Sequence, residues 1–429
     1  MTAEIAILNR SAVALAADSA VTISVGKGQK IYNTVNKLFT LSKFRPVGIM
    51  IYGAADFMGI PWESIIKEHR REIGKTEHAT LQEYLDAFIS WLRSNTQLFP
   101  EALQHQFLAN GIREYFEQVR DEIEKRVSAA INAKGPIGES DVGHIVSDLI
   151  AEQRAKWQRF PRLDTVGAEF EADFAQRHRE RIDQIRSSVF ENLAVSEASA
   201  AELVAIVADG FCRDRFGEAT SGVVIAGFGA NEIFPSLIHC VLEGLIDSAL
   251  KWKQIETAVI NHENHATIVP IAQREMVDTF LSGVDPGYDE TLRKALTQLL
   301  ATSADELLQA IPPSAFPNRD GIKAMLRKKI PEIVASFSQK MTDYSEERHI
   351  APIINAVAAL PKDELAAMAE SLVNLTSFKR RISTDSETVG GEIDVAVISK
   401  GDGFIWIKRK HYFDVGRNPQ FVANYYADD

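Results

Sequence analysis

The chain of 429 residues carries a net charge of −12, with 45% hydrophobic and 25% charged residues, a composition typical of a globular protein. The negative charge disfavours nucleic acid or an anionic membrane as the main partner, because both attract basic surfaces. Cys212 and Cys240 are the only cysteines, and no apolar run approaches the roughly 18 residues of a membrane span, so we expect neither a disulfide framework nor a transmembrane helix. We find no secretory signal and expect a cytoplasmic protein.

The N-terminal segment up to Gly53 predicts a series of β-strands separated by short turns. The runs are rich in Ile, Val and Ala and are bounded by polar or Gly-containing turns, as is typical of strands in a sheet core. They read EIAILN, AVALAAD, AVTISV, KLFTLS and PVGIMIYG. The polar segment KGQK at 27–30 is predicted to be a turn.

The segment from about Gly59 to Cys212 has apolar residues at the 3.6-residue period of amphipathic helices. Strands return at SGVVIAGFG, IFPSLIHCVLEG and HATIVPIA, and a second helical block runs from about Glu275 to Asn374. The chain closes with a hairpin, EIDVAVIS and FIWIKRK around the turn KGDG. Strands at both ends and in the middle predict one layered α+β domain with helical insertions.

The predicted domain is therefore a core that two helical blocks interrupt. Its parts are an N-terminal core segment, 1–99; a helical insertion, 100–212; the central core strands, 213–286; a second helical insertion, 287–345; and the C-terminal helices and strands, 346–429.

The first predicted hairpin brings a threonine and an acid to one end of the sheet. If its turn centres on Arg10, Thr2 falls opposite Asp18. Directly opposed residues of an antiparallel pair have Cβ atoms about 5 Å apart. A shift of the turn by one residue would reverse this facing.

A threonine in this position can act as a nucleophile once Met1 is removed, which a small second residue permits. The Thr2 hydroxyl would pass its proton to the α-amino group of the same residue, whose pKa of about 8 a neighbouring cation lowers. Lys37 is the candidate cation, and Asp18 is the acid that would hold it. Backbone N–H groups of the turn at Gly53 are candidates for an oxyanion hole.

These motifs together resemble a known family. Thr after Met, AADS about sixteen residues later, NKL ahead of a strand and GAAD ahead of a helix are similar to the proteasome β subunits and the bacterial heat-shock-locus V peptidase. The similarity covers about residues 2–60 and resumes weakly at SGVVIAGFG and TVGGEIDVAVISKGDGF. It implies the four-layer αββα sandwich of N-terminal nucleophile hydrolases, here with large helical insertions.

The resemblance also implies a role for each site residue. Thr2 would be the nucleophile, and Asp18 and Lys37 would be the charge pair that activates it. Gly53, or Tyr52 through its backbone, would form the oxyanion hole.

Supporting residues are implied more weakly. The family's Asp-x-x-Ser-Gly-Gly run reads SETVGG here, which keeps both glycines but shifts the register of the acid and the serine, so Asp385 and Ser386 are the nearest candidates. The family's companion serine corresponds to Ser282 in FLSGVD.

The leading hypothesis is a proteasome-like threonine hydrolase that cleaves peptide or amide bonds through an acyl-enzyme, without a metal or another cofactor. The two histidines of HENH at 262–265 indicate a polar loop rather than a metal site. Two alternatives stay open: a catalytically inactive, proteasome-like structural subunit, and an amidase of the same fold acting on a small molecule. The resemblance implies a homo-oligomer that encloses the nucleophile, and it admits an ATPase or another protein partner.

Overall fold

The computed structural model describes residues 2–25, 28–191, 193, 195–310, 312, 318–382 and 390–426. Over these residues the protein is a mixed α+β structure in which paired strands are antiparallel. The strands are β1 (Glu4–Asn9), β2 (Val13–Ala17), β3 (Val21–Val25), β4 (Gly28–Tyr32), β5 (Leu38–Thr40), β6 (Val47–Gly53), β7 (Asp56–Phe57), β8 (Ile60–Pro61), β9 (Ser221–Gly227), β10 (Ser236–Ile246), β11 (Ala249–Val259), β12 (Ala266–Ala272), β13 (Asp394–Ser399) and β14 (Gly403–Lys408).

The helices lie between and after these strands. They are α1 (Trp62–Ile73), α2 (Leu81–Ser94), α3 (Glu101–Lys134), α4 (Glu139–Gln158), α5 (Ala168–Phe190), α6 (Glu197–Cys212), α7 (Glu275–Ser282), α8 (Pro286–Ala310), α9 (Arg319–Ser345), α10 (Ala351–Ala359), α11 (Lys362–Ile382) and α12 (Pro419–Tyr426), with a π-helical turn at Glu346–Ile350 and a 3₁₀ turn at Val415–Arg417. Within the described ranges, none of these helices combines the length and the apolar character needed to cross a bilayer.

Two five-stranded sheets form the centre of the structure. The strand order is β12-β1-β2-β13-β14 in the first sheet and β11-β10-β9-β6-β5 in the second. Buried residues of both sheets share one hydrophobic cluster, in which Ala6 and Leu15 of the first sheet join Met50 and Val224 of the second. The two sheets therefore pack against each other through these side chains.

Helices bury the opposite face of each sheet. Side chains alternate along a strand, and Ile5 accordingly packs away from Ala6, in a cluster with Leu365 of α11. On the second sheet, Ile49 packs in the same way with Phe88 of α2. Because both faces of β1 are covered, all six of its residues are buried, which explains the continuous apolar run in the sequence.

The two helical blocks differ in how they are buried. Residues 62–212 hold six helices and, among the described residues, no strand of a sheet, as predicted. Helices α3 to α6 surround a hydrophobic cluster that includes Phe116, Leu149 and Phe174. Helices α8 and α9 pack on each other, and α8 contains no buried residue.

The first hairpin differs from its predicted register by one residue. Its loop consists of Arg10 and Ser11, because Asn9 and Ala12 already face each other across the hairpin. The Asn9 side chain closes the loop, since its Oδ1 accepts the N–H groups of Ser11 at 2.9 Å and Ala12 at 3.2 Å. The predicted pairing of Thr2 with Asp18 is therefore wrong. Asp18 lies opposite Ala3 instead, and its N–H donates to the Ala3 carbonyl at 3.1 Å.

Four strands were not predicted from the sequence: the short strands β7 and β8, which pair with each other, and the longer β4 and β11. β11 follows a two-residue turn in which Asp247 and Ser248 have φ of 50° and 63°, the left-handed pair that a tight hairpin favours. β4 begins at Gly28 within the segment predicted to be a turn, while 26–27 lie outside the described residues. The second helical block also continues past Asn374, to Ile382.

Candidate active site

The N-terminal residues, the end of β2 and the start of β5 meet at one end of the two sheets. Lys37 Nζ donates to Thr2 Oγ1 at 2.9 Å and to Asp18 Oδ1 at 2.6 Å. Thr2, Asp18 and Lys37 are 7%, 0% and 5% exposed. The structure thus brings together the three residues that the sequence predicted to meet, with the lysine as the bridge.

The backbone of the second sheet fixes the position of Lys37. Ile51 N–H donates to the Lys37 carbonyl at 2.9 Å, and the next residue, Leu38, pairs with Met50. Leu38 is buried between the sheets. Lys37 therefore stands at the point where the edge strand enters the core, and its side chain reaches across to the first sheet.

Asp18 is held by backbone donors from two distant parts of the chain. Its Oδ1 accepts the Ala3 N–H at 3.1 Å, and its Oδ2 accepts the N–H groups of Ala20 at 3.3 Å and Gly390 at 3.0 Å. Together with the Lys37 ammonium, these contacts give the carboxyl four N–H donors, and it is the acceptor in each of them. Such a fully bonded carboxylate is a fixed counter-ion for the lysine.

The charge pair is buried, so each partner depends on the other. Neither side chain is more than 6% exposed. Removing one partner of a buried pair typically costs about 3–5 kcal/mol, because the other charge is left without compensation. The third contact of the pair is a hydroxyl, and this contact distinguishes the arrangement from an ordinary structural ion pair.

Gly53 ends β6 two residues beyond the contact with Lys37. It has φ of +82°, and a Cβ placed on it would lie 2.5 Å from the Thr220 carbonyl oxygen, so the position requires glycine. The next N–H, that of Ala54, donates to the same Thr220 oxygen at 3.1 Å. The turn is therefore rigidly tied to β9, and the oxyanion role of Gly53 stays a prediction.

Of the weaker supporting candidates, the structure describes Ser282, whose hydroxyl makes no hydrogen bond to this cluster among the described residues. Ser282 ends α7, where its hydroxyl lies 2.7 Å from the Asp278 carbonyl and 2.8 Å from the Val284 carbonyl. Its hydrogen bonds are thus local to the helix end. Asp385 and Ser386 lie outside the described residues. The Gly-Gly run that follows them does reach the site, through the Gly390 N–H bond to Asp18.

Glu4 is a site residue that sequence reasoning missed. It is 1% exposed, and neither carboxyl oxygen has a hydrogen-bond partner among the residues that the structure describes. Burial raises the pKa of Glu4 well above its ordinary value of 4.5; the charge of Lys37 acts in the opposite direction, and that of Asp18 reinforces the rise. The sequence did contain a signal for this site, because an acid stands within the apolar run EIAILN, where a buried side chain is expected.

A tyrosine and a histidine face each other beyond Glu4. The Tyr52 hydroxyl lies 2.7 Å from His239 Nε2. Burial raises the pKa of Tyr52 to about 12. Burial, and then the charge of Arg274, lower the pKa of His239 to about 4. The pair is therefore neutral near pH 7. The sequence held no local signal for this contact, because Tyr52 and His239 lie on strands that are far apart along the chain.

We find no group of three or more His, Cys, Asp or Glu side chains placed to hold a metal ion within the described part of the chain. No protein-family model matches the sequence, and no curated protein is significantly similar to it.

Proposed function

We propose that the protein is a threonine hydrolase that cleaves peptide or amide bonds with Thr2 as its N-terminal nucleophile. The observation that carries the proposal is the buried chain of contacts from Asp18 through Lys37 to the Thr2 hydroxyl, at 2.6 and 2.9 Å. A lysine in this position supplies positive charge at the oxygen that must lose a proton.

The packing of the sheets supports the same proposal. Two antiparallel sheets share one hydrophobic cluster, and helices bury the other face of each sheet. This order of helix, sheet, sheet and helix is what the αββα sandwich of N-terminal nucleophile hydrolases requires, and we propose that fold for the core, with α3–α6 and α8–α9 as insertions.

The proposed reaction begins when removal of Met1 frees the Thr2 amine. The Thr2 hydroxyl attacks the substrate carbonyl carbon, and its proton passes to the neutral α-amino group of the same residue. The Lys37 charge disfavours protonation of that amine in the free enzyme, which keeps it available as a base. The backbone N–H of Gly53 would stabilise the oxyanion that forms.

The intermediate then loses the amine half of the substrate. The C–N bond breaks as the Thr2 ammonium returns a proton to the leaving nitrogen, and the acyl half stays on Thr2 Oγ1 as an ester. A water molecule, deprotonated by the same amine, attacks the ester and releases the acid product. The cycle consumes one water and regenerates the free hydroxyl.

Hydrolysis of a panel of fluorogenic peptides tests this proposal. The variants are Thr2→Ala, which removes the nucleophile, and Thr2→Ser, which keeps a hydroxyl. Thr297→Ala is the matched control, since Thr297 is an exposed threonine on α8. We expect hydrolysis by wild type, Thr2→Ser and the control, and none above background by Thr2→Ala.

A tagged protein that retains Met1 separates the amine from the hydroxyl. With its amine acylated by Met1, Thr2 has no internal base, so the tagged protein should be as inactive as Thr2→Ala. Full activity with Met1 in place would assign the chemistry to another residue. Absence of any cleavage that depends on Thr2 would favour the structural-subunit alternative.

A further inference from the structure

Glu4 lies next to the proposed nucleophile but takes no part in the mechanism above. It follows Thr2 by two residues, and residues two apart on an extended chain share a face. The next two residues on this face, Ala6 and Leu8, pack between the sheets. The Glu4 side chain therefore enters the inter-sheet layer directly behind the Thr2–Lys37 contact.

The surroundings of Glu4 disfavour a negative charge there. It is 1% exposed, and neither of its oxygens has a donor among the described residues. The Asp18 carboxyl, in contrast, accepts hydrogen bonds from four N–H groups, one of which belongs to Lys37. Glu4 has none of these donors, and burying an unpaired carboxylate is costly.

The charged and titratable groups around Glu4 come from each neighbouring element. Lys37 at the start of β5 favours the Glu4 anion, and Asp18 at the end of β2 opposes it. Tyr52 of β6 is electrostatically coupled to Glu4 and hydrogen-bonded to His239 of β10. Arg274, at the start of α7, acts on Tyr52 and His239. Lys37 is thus the one cation in this set that acts on Glu4 itself.

We propose that Glu4 is a positioning residue that stays uncharged during turnover, so that Asp18 is the single counter-ion of Lys37. This inference rests on the proposed function for its effect on rate. With one carboxylate beside it, Lys37 keeps Nζ on Thr2 Oγ1 and keeps the nearby charge balanced. A second carboxylate would compete with Asp18 for the ammonium and draw it away from the hydroxyl, and the extra negative charge would favour the protonated Thr2 amine.

The first test is the pH dependence of stability, which does not depend on activity. A carboxyl whose pKa is raised by folding binds more protons in the native than in the unfolded state, so its ionisation destabilises the fold as pH rises above about 4.5. Chemical unfolding of wild type and Glu4→Gln is measured from pH 5 to pH 9. We expect the stability difference to grow with pH in favour of glutamine. A constant difference would overturn the inference.

The second test is the pH–rate profile of peptide hydrolysis. Glu4→Gln cannot ionise, so we expect the alkaline midpoint of kcat/KM to move up by about one pH unit or more, while the acid midpoint stays in place. An unmoved alkaline midpoint contradicts a role for Glu4. A lowered acid midpoint would mean that Glu4 is charged in the wild type, and it also contradicts the proposal.

A second variant protects both tests against a misfolded glutamine variant. Glu4→Leu is uncharged, apolar and of similar size, so the same growing stability difference and the same alkaline shift are expected. If wild type cleaves no more than Thr2→Ala while the stability difference grows as expected, the proposed function fails and the uncharged state of Glu4 stands. If hydrolysis depends on Thr2 but the stability difference is constant, the proposed function stands and the uncharged state of Glu4 is wrong.

Discussion

Two buried lysines in this protein each pair with an acid, but their remaining hydrogen bonds go to different groups. Lys37 is 5% exposed and contacts Asp18 and the Thr2 hydroxyl. Lys251 is 2% exposed and lies 2.5 Å from Glu243. Its Nζ also donates to the carbonyls of Gly210 at 2.7 Å and Arg215 at 2.6 Å.

Burial and pairing with an acid are common to both lysines, so these two features do not distinguish the proposed active site from Lys251. Lys251 donates to one carbonyl in the last turn of α6 and to one just after it, so it ties that end of the helix to β11. Lys37 donates one hydrogen bond to the Thr2 hydroxyl, a group that can act as a nucleophile. The identity of the third partner, rather than burial, separates the two sites.

The largest expected effect is on the rate of hydrolysis. Lys37→Ala should lower kcat/KM by about 10³-fold, within the range for groups that govern proton transfer. Lys251→Met should leave kcat/KM within about threefold of wild type in the folded protein, because Lys251 touches no proposed site residue. Peptide hydrolysis by both variants, each normalised to its folded fraction, checks this. Equal losses in the two variants would contradict the distinction.

A stability measurement sharpens the same comparison. Lys251→Met should lower the free energy of unfolding by about 3 kcal/mol, the lower end for breaking a buried pair, since the Glu243 side chain keeps 20% exposure. Adding Glu243→Gln removes the stranded charge and should recover part of the loss, as denaturant titration would show.

The corresponding double variant of the other pair is the control. Lys37→Met with Asp18→Asn should also recover stability relative to Lys37→Met alone, but it should not recover hydrolysis. Restored activity in that double variant would show that the charge of Lys37 is dispensable.

His69 extends the comparison to a buried base with no acid. It is 3% exposed, and its ring nitrogens lack hydrogen-bond partners among the described residues. Burial, and then the charge of His78, lower the pKa of His69 to about 4. The unfolded state binds the proton more tightly, so this stability is present above about pH 6.5 and is lost as pH falls towards 4.

The expected loss from His69 is about 2 kcal/mol between pH 7 and pH 5. His69→Leu should flatten the pH dependence of the unfolding free energy over that interval by this amount, which denaturant titrations at both pH values would measure. An unchanged slope in the variant would mean that His69 is already protonated, or hydrated, in the native protein.

The sequence was sufficient for the parts of the fold and site that depend on local pattern. The apolar runs of β1, β2 and β6 predict strands because both of their faces are buried. The meeting of Thr2, Asp18 and Lys37 survived a hairpin register that was wrong by one residue, because the long lysine side chain, rather than direct strand pairing, joins the other two.

Features that depend on contacts across the structure were not predictable in this way. β11 is an edge strand whose second half is largely exposed, and polar side chains interrupt its apolar residues, so it lacks an apolar run. Glu4, Tyr52 and His239 come from three strands whose proximity only sheet packing reveals. Lys251 has no motif around it, since its partners are the Glu243 carboxylate of the neighbouring strand and two backbone carbonyls.

Mass spectrometry of the protein after reaction with a hydroxyl-acylating peptide β-lactone tests the central claim most directly. Opening of the lactone ring leaves an acyl group on the oxygen that attacks it. We expect one acyl group per chain on an N-terminal peptide that begins at Thr2, with no label on Thr2→Ala. An acyl group on any other residue, or an unlabelled Thr2 in a chain that has lost Met1, would contradict Thr2 as the nucleophile.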